Sequence, residues 1–431
     1  MLRMLKVATF MASFLVLCLA APLTRLPAAA QPVEITYMSW YGGTSQEIEQ
    51  EIIDLFNAKN PDIRVSKIGG DPRQVLVTMV AAGAPPDTSI VNGVNQAHIL
   101  TELAVDITAA VERAGIDLSA YIPGLVENVI TRDGRVYGLP WGFGFFNLMI
   151  NDRRFNEVGL AAPAPGWTIE EMTDAAAKLT RDADADGTPD QVGLWPGFMS
   201  PEEPLFMMHG ARIVDPATGA TDVHTPAYYD AVQYVADLIN VRRIAQRSTF
   251  GMDRRQAFID GRFGMAGEWQ SVIPEFVRLK AHETSDWSMA YWPKGRGPQT
   301  TLGWGHSISV IQGTKHPEEA TRFVLFWASD EVESILARAG LYPQTLRGLQ
   351  MMATELDLPP GYTAERVMGP LFRLPERVDI PPFHYPGYGQ VSNDVVRPAL
   401  LAVIEGREPA RQAFEGIRER VERVLAEARA R

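Results

Sequence analysis

The chain of 431 residues contains a single cysteine, Cys18. One thiol excludes any intramolecular disulfide and any metal site built on two or more cysteines, so the fold must be held by its apolar core. Enzyme templates are missing as well. The seven histidines show no HExxH or HxH spacing, GHSIS at 305–309 lacks the closing glycine of a nucleophile elbow, and no GxxxxGK[ST] or GxGxxG follows a strand pattern. Metal-dependent or serine-type hydrolysis therefore loses its strongest sequence support, although a pair of catalytic acids needs no local motif. Basic charge is also scarce. Of the 40 lysines and arginines, Arg3, Lys6 and Arg25 fall in residues 1–30, where no acid does; the remainder carries 37 basic against 52 acidic residues, a net charge of −15. Such a chain is ill suited to nucleic acid or to anionic membrane surfaces.

The one long apolar run is at the start. Arg3 and Lys6 precede an apolar stretch from Val7 to Ala21, and Ala28-Ala29-Ala30 supplies small residues before Gln31. That is the build of a secretory signal peptide, expected over residues 1–30. Leu17 stands before Cys18 where a lipoprotein signal needs a small residue, so the expected product is a free periplasmic protein and not a lipoprotein. No later run approaches membrane-spanning length.

Beyond Gln31, strand and helix patterns alternate. EITYMSW alternates like a strand. Thr44 and Glu47 form a capping-box pattern, and Ile48, Ile52, Leu55 and Phe56 make an apolar stripe that Asn60-Pro61 ends. A strand at Ile63–Ile68, a helix at about 73–82, a short strand around 89–91 and a helix at about 95–104 continue the pattern, which predicts right-handed crossovers and a mainly parallel sheet. From Tyr137 to about residue 300 helices dominate: 168–180, opened by a capping box of Thr168 and Glu171, then 226–243, 253–260 and 270–281. Short strands are expected at 264–266 and 288–292, which reads as a second α/β unit. HSISVIQG at 306–313 and a helix at 317–328 return to the first style, and helices at 393–405 and 409–430 close the chain, with no internal repeat or low-complexity linker. A chain that leaves one lobe, builds another and returns makes several crossovers, hence a hinge with a cleft beneath it.

GLPWGFGFFN, residues 138–147, sits at the first crossover. As a strand it sends Trp141, Phe143 and Phe145 to one face and Gly142, Gly144 and Phe146 to the other. Two readings fit: a core strand with room for a close-packed backbone, or a ring platform beside a bare face that approaches a ligand. Other strand ends carry aromatics or amides too: Trp40 and Tyr41 before Gly42-Gly43, Asn92 and Asn95, Glu268-Trp269, and Trp304 at the return crossover. Flat rings with amide and carboxylate partners suit carbohydrate. DADADGTPD, with Asp182, Asp184, Asp186 and Asp190, has the early spacing of a calcium loop but Gly193 where a bidentate glutamate belongs. A solvated Asp-turn is the expected reading and structural calcium its alternative; no other metal and no cofactor is expected.

Several pieces in order then carry a resemblance: ITYMSW with NAKNPDIRV, AAGAPPDTSIVNG, GRVYGLPWGFGFFNLMINDRRFNEVGL, PGWTIEEMTDAAAKLT, AFIDGRFGMAGEWQ and TLGWGHSISVIQGTKHPEEATRFVLFWAS. The chain resembles the extracellular solute-binding proteins of ABC importers, the sugar-binding family that includes maltose-binding protein. The resemblance implies a two-lobed α/β periplasmic binding fold with hinge crossovers and a ligand cleft between lobes, one lobe from 31–139 and 305–343, the other from 140–304 and 344–431. It implies a monomer that captures a mono- or oligosaccharide by hinge closure and delivers it to a membrane permease, without catalysis. By motif position, the sugar contacts would be Trp40, Tyr41, Thr44, Asn92, Asn95, Trp141, Phe143, Glu268, Trp269, Gly303, Trp304, Tyr342 and Tyr388. Gly144 stands where some maltodextrin binders carry an acidic ligand residue, and Arg153-Arg154 is more basic than the family pattern, so the sugar cannot be copied from maltose binders. The alternatives are the same fold binding glycerol phosphate or another polar solute and, in a different class, a secreted glycoside hydrolase using acids such as Asp71, Asp87 or Glu268.

Overall fold

The computed structural model describes residues 31–122, 124–215, 218–296, 299, 301–373 and 378–430. The expected signal peptide lies outside them. The first strand, Val33–Met38, pairs in parallel with Ile63–Ile68 on one side and Thr88–Asn92 on the other. The helices that connect them, Gly43–Lys59 and Pro72–Ala81, are the ones the sequence pattern predicts. Their starts differ in kind: Asp71 caps the second through its side chain, whereas the first begins from Gly42 with no side-chain cap, so the Thr44–Glu47 capping box does not form the helix boundary. Thr168 and Glu171 do form theirs, each side chain bonding the other's backbone N–H.

The second half does not build a separate sheet. One nine-stranded sheet runs through the molecule in the order Ile63–Ile68, Val33–Met38, Thr88–Asn92, Thr301–Val310, Leu139–Asn151, Phe263–Trp269, Val192–Trp195, with Trp287–Ala290 also on the long strand and Val378–Asp379 also on the return strand. It is mixed and not mainly parallel, because the two strands in the middle are antiparallel to each other and to a neighbour on their outer side. The long strand, Leu139–Asn151, pairs by its first part with the return strand, Thr301–Val310, and by its last part with Phe263–Trp269. Both crossings are thus continuous backbone, and the ladder between them shifts register at His306/Ser307.

Alternation along the long strand divides the core. Trp141, Phe143, Phe145 and Met149 enter one apolar cluster, which includes Tyr37, Phe56, Phe323 and Trp327; Phe146, Leu148 and Ile150 enter the other, with Trp292, Tyr228 and Phe414. The closing helices, Arg397–Ile404 and Ala410–Ala430, pack on Pro226–Asn240, where Tyr228 and Phe414 lie 5.0 Å apart and Gln233 accepts from the Ala410 N–H. A π-helical turn at Val391–Val396 precedes them, so the regular helix starts later than the sequence pattern places it.

Glycines make the crossing possible. A Cβ on Gly303 would lie 2.3 Å from Phe143 Cζ and 2.5 Å from Val378, and one on Gly305 would lie 2.2 Å from Leu125. Gly303, expected among the ligand contacts, therefore has a packing duty: it leaves the space that the Phe143 ring fills. Gly303→Ala should destabilise the protein by about 1–3 kcal/mol, the usual range for overpacking a filled core. Urea unfolding checks this, and a variant within about 0.5 kcal/mol of wild type, the scatter of a neutral substitution, would show that the ring shifts freely.

Candidate functional site

A buried charge sets the position of the first aromatics. Glu49, fully buried on the first helix, accepts from the hydroxyls of Tyr37 and Ser39, both at 2.7 Å, and pairs with Lys67. The Lys67 ammonium also donates to the Tyr41 carbonyl at 2.9 Å, and the Tyr41 N–H donates to Ser39 Oγ at 3.1 Å. The Trp40–Tyr41 turn is thereby tied to the first two strands. Trp141 completes the arrangement from the long strand: its Nε1 donates to the Tyr37 hydroxyl at 3.0 Å, and its ring stacks on Tyr41 at 4.3 Å and 11°.

In front of this assembly, where the crossing strands meet, lies a cavity of about 410 Å³. Trp40, Tyr41, Asn92, Trp269, Trp304 and Tyr342 line it, six of the residues expected there, together with Gly144. Trp269 and Trp304 stand edge to face at 5.8 Å and 84°, and Trp40 lies 4.7 Å from the His306 ring. The bare face of the long strand explains how Trp269 comes so close: a Cβ on Gly144 would sit 3.1 Å from its ring.

Five expected residues are placed elsewhere or differently. Trp141 and Phe143 are 1% and 0% exposed and belong to the core, so the ringed face of the strand supports the cavity from behind and is not its platform. Gly303 makes room for Phe143 instead. Glu268 is buried in an ion pair with Arg254, whose guanidinium lies 4.7 Å over Phe198 and 5.0 Å over Trp195, and it also accepts from the Trp269 N–H. It positions the Trp269 backbone and does not line the cavity. Tyr388, 2% exposed, donates its hydroxyl to Glu202 Oε1 behind Phe383, which in turn packs on Trp304. Thr44 lies in the first turn of Gly43–Lys59 and Asn95 in the short helix Gly93–Gln96. The acids considered for a hydrolase are also engaged: Asp71 caps a helix and pairs with Arg73, and Asp87 bonds Thr36 and Thr314.

The cavity holds residues that the sequence pattern did not single out, among them Arg73, Phe198, Ser200, Glu203, His306 and Arg397. Arg73 stacks on Trp40 at 5.0 Å while paired with Asp71. Arg397 is exposed and forms no ion pair among the described residues. Burial, followed by the nearby Arg73 charge, pushes the His306 imidazole down to about 3, so it is neutral at physiological pH. Glu203 is 2% exposed; its Oε1 accepts the N–H groups of Phe198 and Ser200 at 2.9 and 3.0 Å, holding the loop that carries Phe198, while Oε2 has no partner among the described residues. Burial pushes this carboxyl up to about 8, against the lowering effect of the backbone donors. The PEEP run at 201–204 is visible in sequence, but nothing local tells which of its acids turns inward.

The acidic loop brings Asp182, Asp184 and Asp190 together, their carboxylate oxygens within 4.8 Å of one another. Its own backbone uses these groups: Gly187 donates to Asp182, Asp186 to Asp184, and Ala183 to Asp190, while Asp186 accepts from Thr188.

A continuous sheet crossed by two shared strands, with an aromatic-lined cavity at the crossing, defines a two-lobed binding protein. Residues 51–349 match the family model described as bacterial extracellular solute-binding protein, and the chain belongs to that family. It is 23% identical over 341 residues to the sn-glycerol-3-phosphate-binding periplasmic protein UgpB of Rhizobium meliloti (strain 1021), covering 74% of this chain and 77% of that one. Among solved structures it superposes on the ABC substrate-binding protein Lmo0181 from Listeria monocytogenes in complex with cycloalternan (TM-score 0.77, 19% identity, 92% of this chain and 99% of that one). It also superposes on maltose-bound T. maritima MalE3 (0.76, 20%, 91% and 100%). No helix of the described residues is long and apolar enough to cross a membrane.

Glu203 gives a pH signature. Its folded value of about 8 lies above the ordinary 4.5, so its contribution to stability is present in full below about pH 4.5 and is lost as pH rises through 8. Glu203→Gln keeps an acceptor for Phe198 and Ser200 but cannot ionise. The fall in melting temperature between about pH 5 and about pH 8.5, a window that brackets this titration, should be smaller in the variant than in wild type. Parallel curves would show that Glu203 does not titrate in this range.

Proposed function

We propose that this protein captures a neutral sugar in the aromatic cavity and presents it, closed, to the permease of an ABC importer. The observation that carries the reading is the convergence of Trp40, Tyr41, Trp269, Trp304, Tyr342 and Phe198 on one cavity with Asn92, Asn393 and Ser200 among them. Rings offer faces to the C–H side of a sugar, and amides and hydroxyls offer both donors and acceptors to its rim. Closure is a population shift: contacts made to both sides of the cleft favour the closed state by their differential free energy. The lobes would be 31–139 with 305–343, and 140–304 with 344–431, after export by residues 1–30 into the periplasm. The protein acts as a monomer and returns its ligand unchanged. The relatives bound to cycloalternan and maltose support this choice of ligand class.

Titration calorimetry against a sugar panel tests it. Trp269→Ala should weaken the bound sugar by about 2 kcal/mol, as expected for a central aromatic anchor. Unchanged affinity would remove the ring from the site, and new reducing ends appearing in wild-type mixtures would make the protein a hydrolase.

A second reading rests on Arg397, a cation at the cavity without an ion pair among the described residues, and on the likeness to UgpB. A ligand carrying phosphate would place that group on Arg397. In that case sn-glycerol-3-phosphate binds wild type and loses about 1.5–3 kcal/mol in Arg397→Ala, the range for a hydrogen bond to a charged group. Sugar binding with no response to glycerol phosphate selects the first reading.

A further inference from the structure

The strand Phe263–Trp269 leaves the long strand at Trp269, whose pairing with Phe146 is the last rung of their ladder. Toward residue 139 the same edge of Leu139–Asn151 has no strand beside it among the described residues, yet every residue of that strand is buried. Its backbone groups there still need partners. Gln270 supplies them. Fully buried, it accepts the Phe145 N–H on Oε1 at 2.7 Å and donates from Nε2 to the Phe143 carbonyl at 3.0 Å, while its own backbone N–H donates to the Phe145 carbonyl at 3.0 Å. Its carbonyl accepts from the Ile273 N–H at 2.9 Å, where the helix Val272–Arg278 begins. A side-chain amide offers a donor and an acceptor side by side, as a peptide group does, so Gln270 continues the ladder after the strand itself has turned away. Gln344 ties the start of the long strand in a similar way, Nε2 donating to the Pro140 and Trp141 carbonyls at 2.8 and 3.3 Å.

The two residues that the Gln270 amide grips flank Gly144. Over that glycine stands the half-buried ring of Trp269, the residue next to Gln270 in the chain, at the distance already noted. The backbone of the ring is therefore held on both sides: the Trp269 N–H donates to Glu268, and the residue after it is bound to the long strand by three hydrogen bonds. An apolar side chain at 270 would fill the same space but leave the Phe145 N–H and the Phe143 carbonyl without these partners, and the chain at 269–270 could then draw back from the strand.

We propose that Gln270 is a positioning residue for binding: its amide holds the Trp269 ring over Gly144, at the wall of the aromatic cavity, by tying the ring's own stretch of backbone to the crossing strand. This rests on the reading of Trp269 as a contact of the bound solute and goes beyond it by naming what fixes the ring. Movement of the crossing strand then carries the ring with it.

The test is a double-mutant cycle on affinity, measured by calorimetry with maltose, cellobiose, mannobiose and sn-glycerol-3-phosphate as probes and continued with whichever binds best. Gln270→Met, close in size but without the amide, should weaken that probe by about fivefold or more in the wild-type background and by less than about twofold in the Trp269→Ala background, because residues that act through one another are not additive. Should Gln270→Met melt below the measuring temperature, Gln270→Asn, whose amide is a methylene too short to span Phe143 and Phe145, takes its place in the same cycle. Equal losses in both backgrounds, or a lowered melting temperature with unchanged affinity, would make Gln270 a support of the fold alone and overturn the proposal while leaving the cavity reading intact. Binding of no probe, or affinity indifferent to Trp269→Ala, overturns the cavity reading and this inference with it.

Discussion

The pairing of two strands that cross the middle of the sheet is the constraint on which the remaining structure depends. Leu139–Asn151 and Thr301–Val310 lie side by side, and each also carries partners from only one end of the sheet beyond the other. Because backbone N–H and C=O groups must be paired when buried, neither strand can be displaced without breaking ladders on both sides. Their close approach requires that rings and glycines alternate in register: Phe143 occupies the space that Gly303 leaves, and Trp269 the space beside Gly144. The same alternation that hides Trp141 and Phe143 in one core leaves the opposite face thin enough for a cavity. Any change of angle between the halves must be absorbed by these two strands.

Several buried ion pairs hold the aromatic rings in place from outside the cavity. Glu49, Lys67 and the Tyr37 and Ser39 hydroxyls fix the Trp40–Tyr41 turn; Glu268 and Arg254 fix the start of Trp269 and the face of Phe198; Glu202 joins Ser200, Tyr388 and Ser392 behind Trp304. Each is a buried or half-buried charge with several partners, the condition under which such a group is tolerated. The cavity is left with rings, amides, a neutral histidine, a carboxyl that burial keeps largely protonated near neutral pH, and the arginines. A solute bound there meets groups that are already oriented, which lowers the ordering cost of binding.

Much of this is legible in the chain alone. Apolar periods of about 2 and about 3.6 residues locate the main elements, and the aromatics at strand ends point to Trp40, Tyr41, Trp269 and Trp304, because a strand end in an open α/β sheet is where side chains leave the ladder for a cleft. Periodicity cannot tell which face of GLPWGFGFFN is covered. That depends on Phe56, Phe323 and Trp327, residues far away in sequence whose packing takes Trp141 and Phe143 into the core. Nor can it assign the acids. Glu268 has the sequence position of a ligand, and only the fold sets Arg254, fourteen residues earlier, beside it; Glu203 gives no signal until the loop above it closes onto its carboxyl.

Local and additive properties are written along the chain: the kind of element at most positions, the acidic and cysteine-poor composition, and the order of strands and helices that calls for two lobes. Periodicity, capping and composition carry them, and none of these needs a distant partner. That the lobes share one sheet, that Tyr342 packs against Gly142, and which strand-end residues line the cavity were settled by packing in three dimensions. Those outcomes turn on contacts between residues far apart in the chain, such as Phe143 with Gly303 and Gly142 with Tyr342. The physical quantity that sets them, the space left by one side chain for another, has no local trace in the sequence.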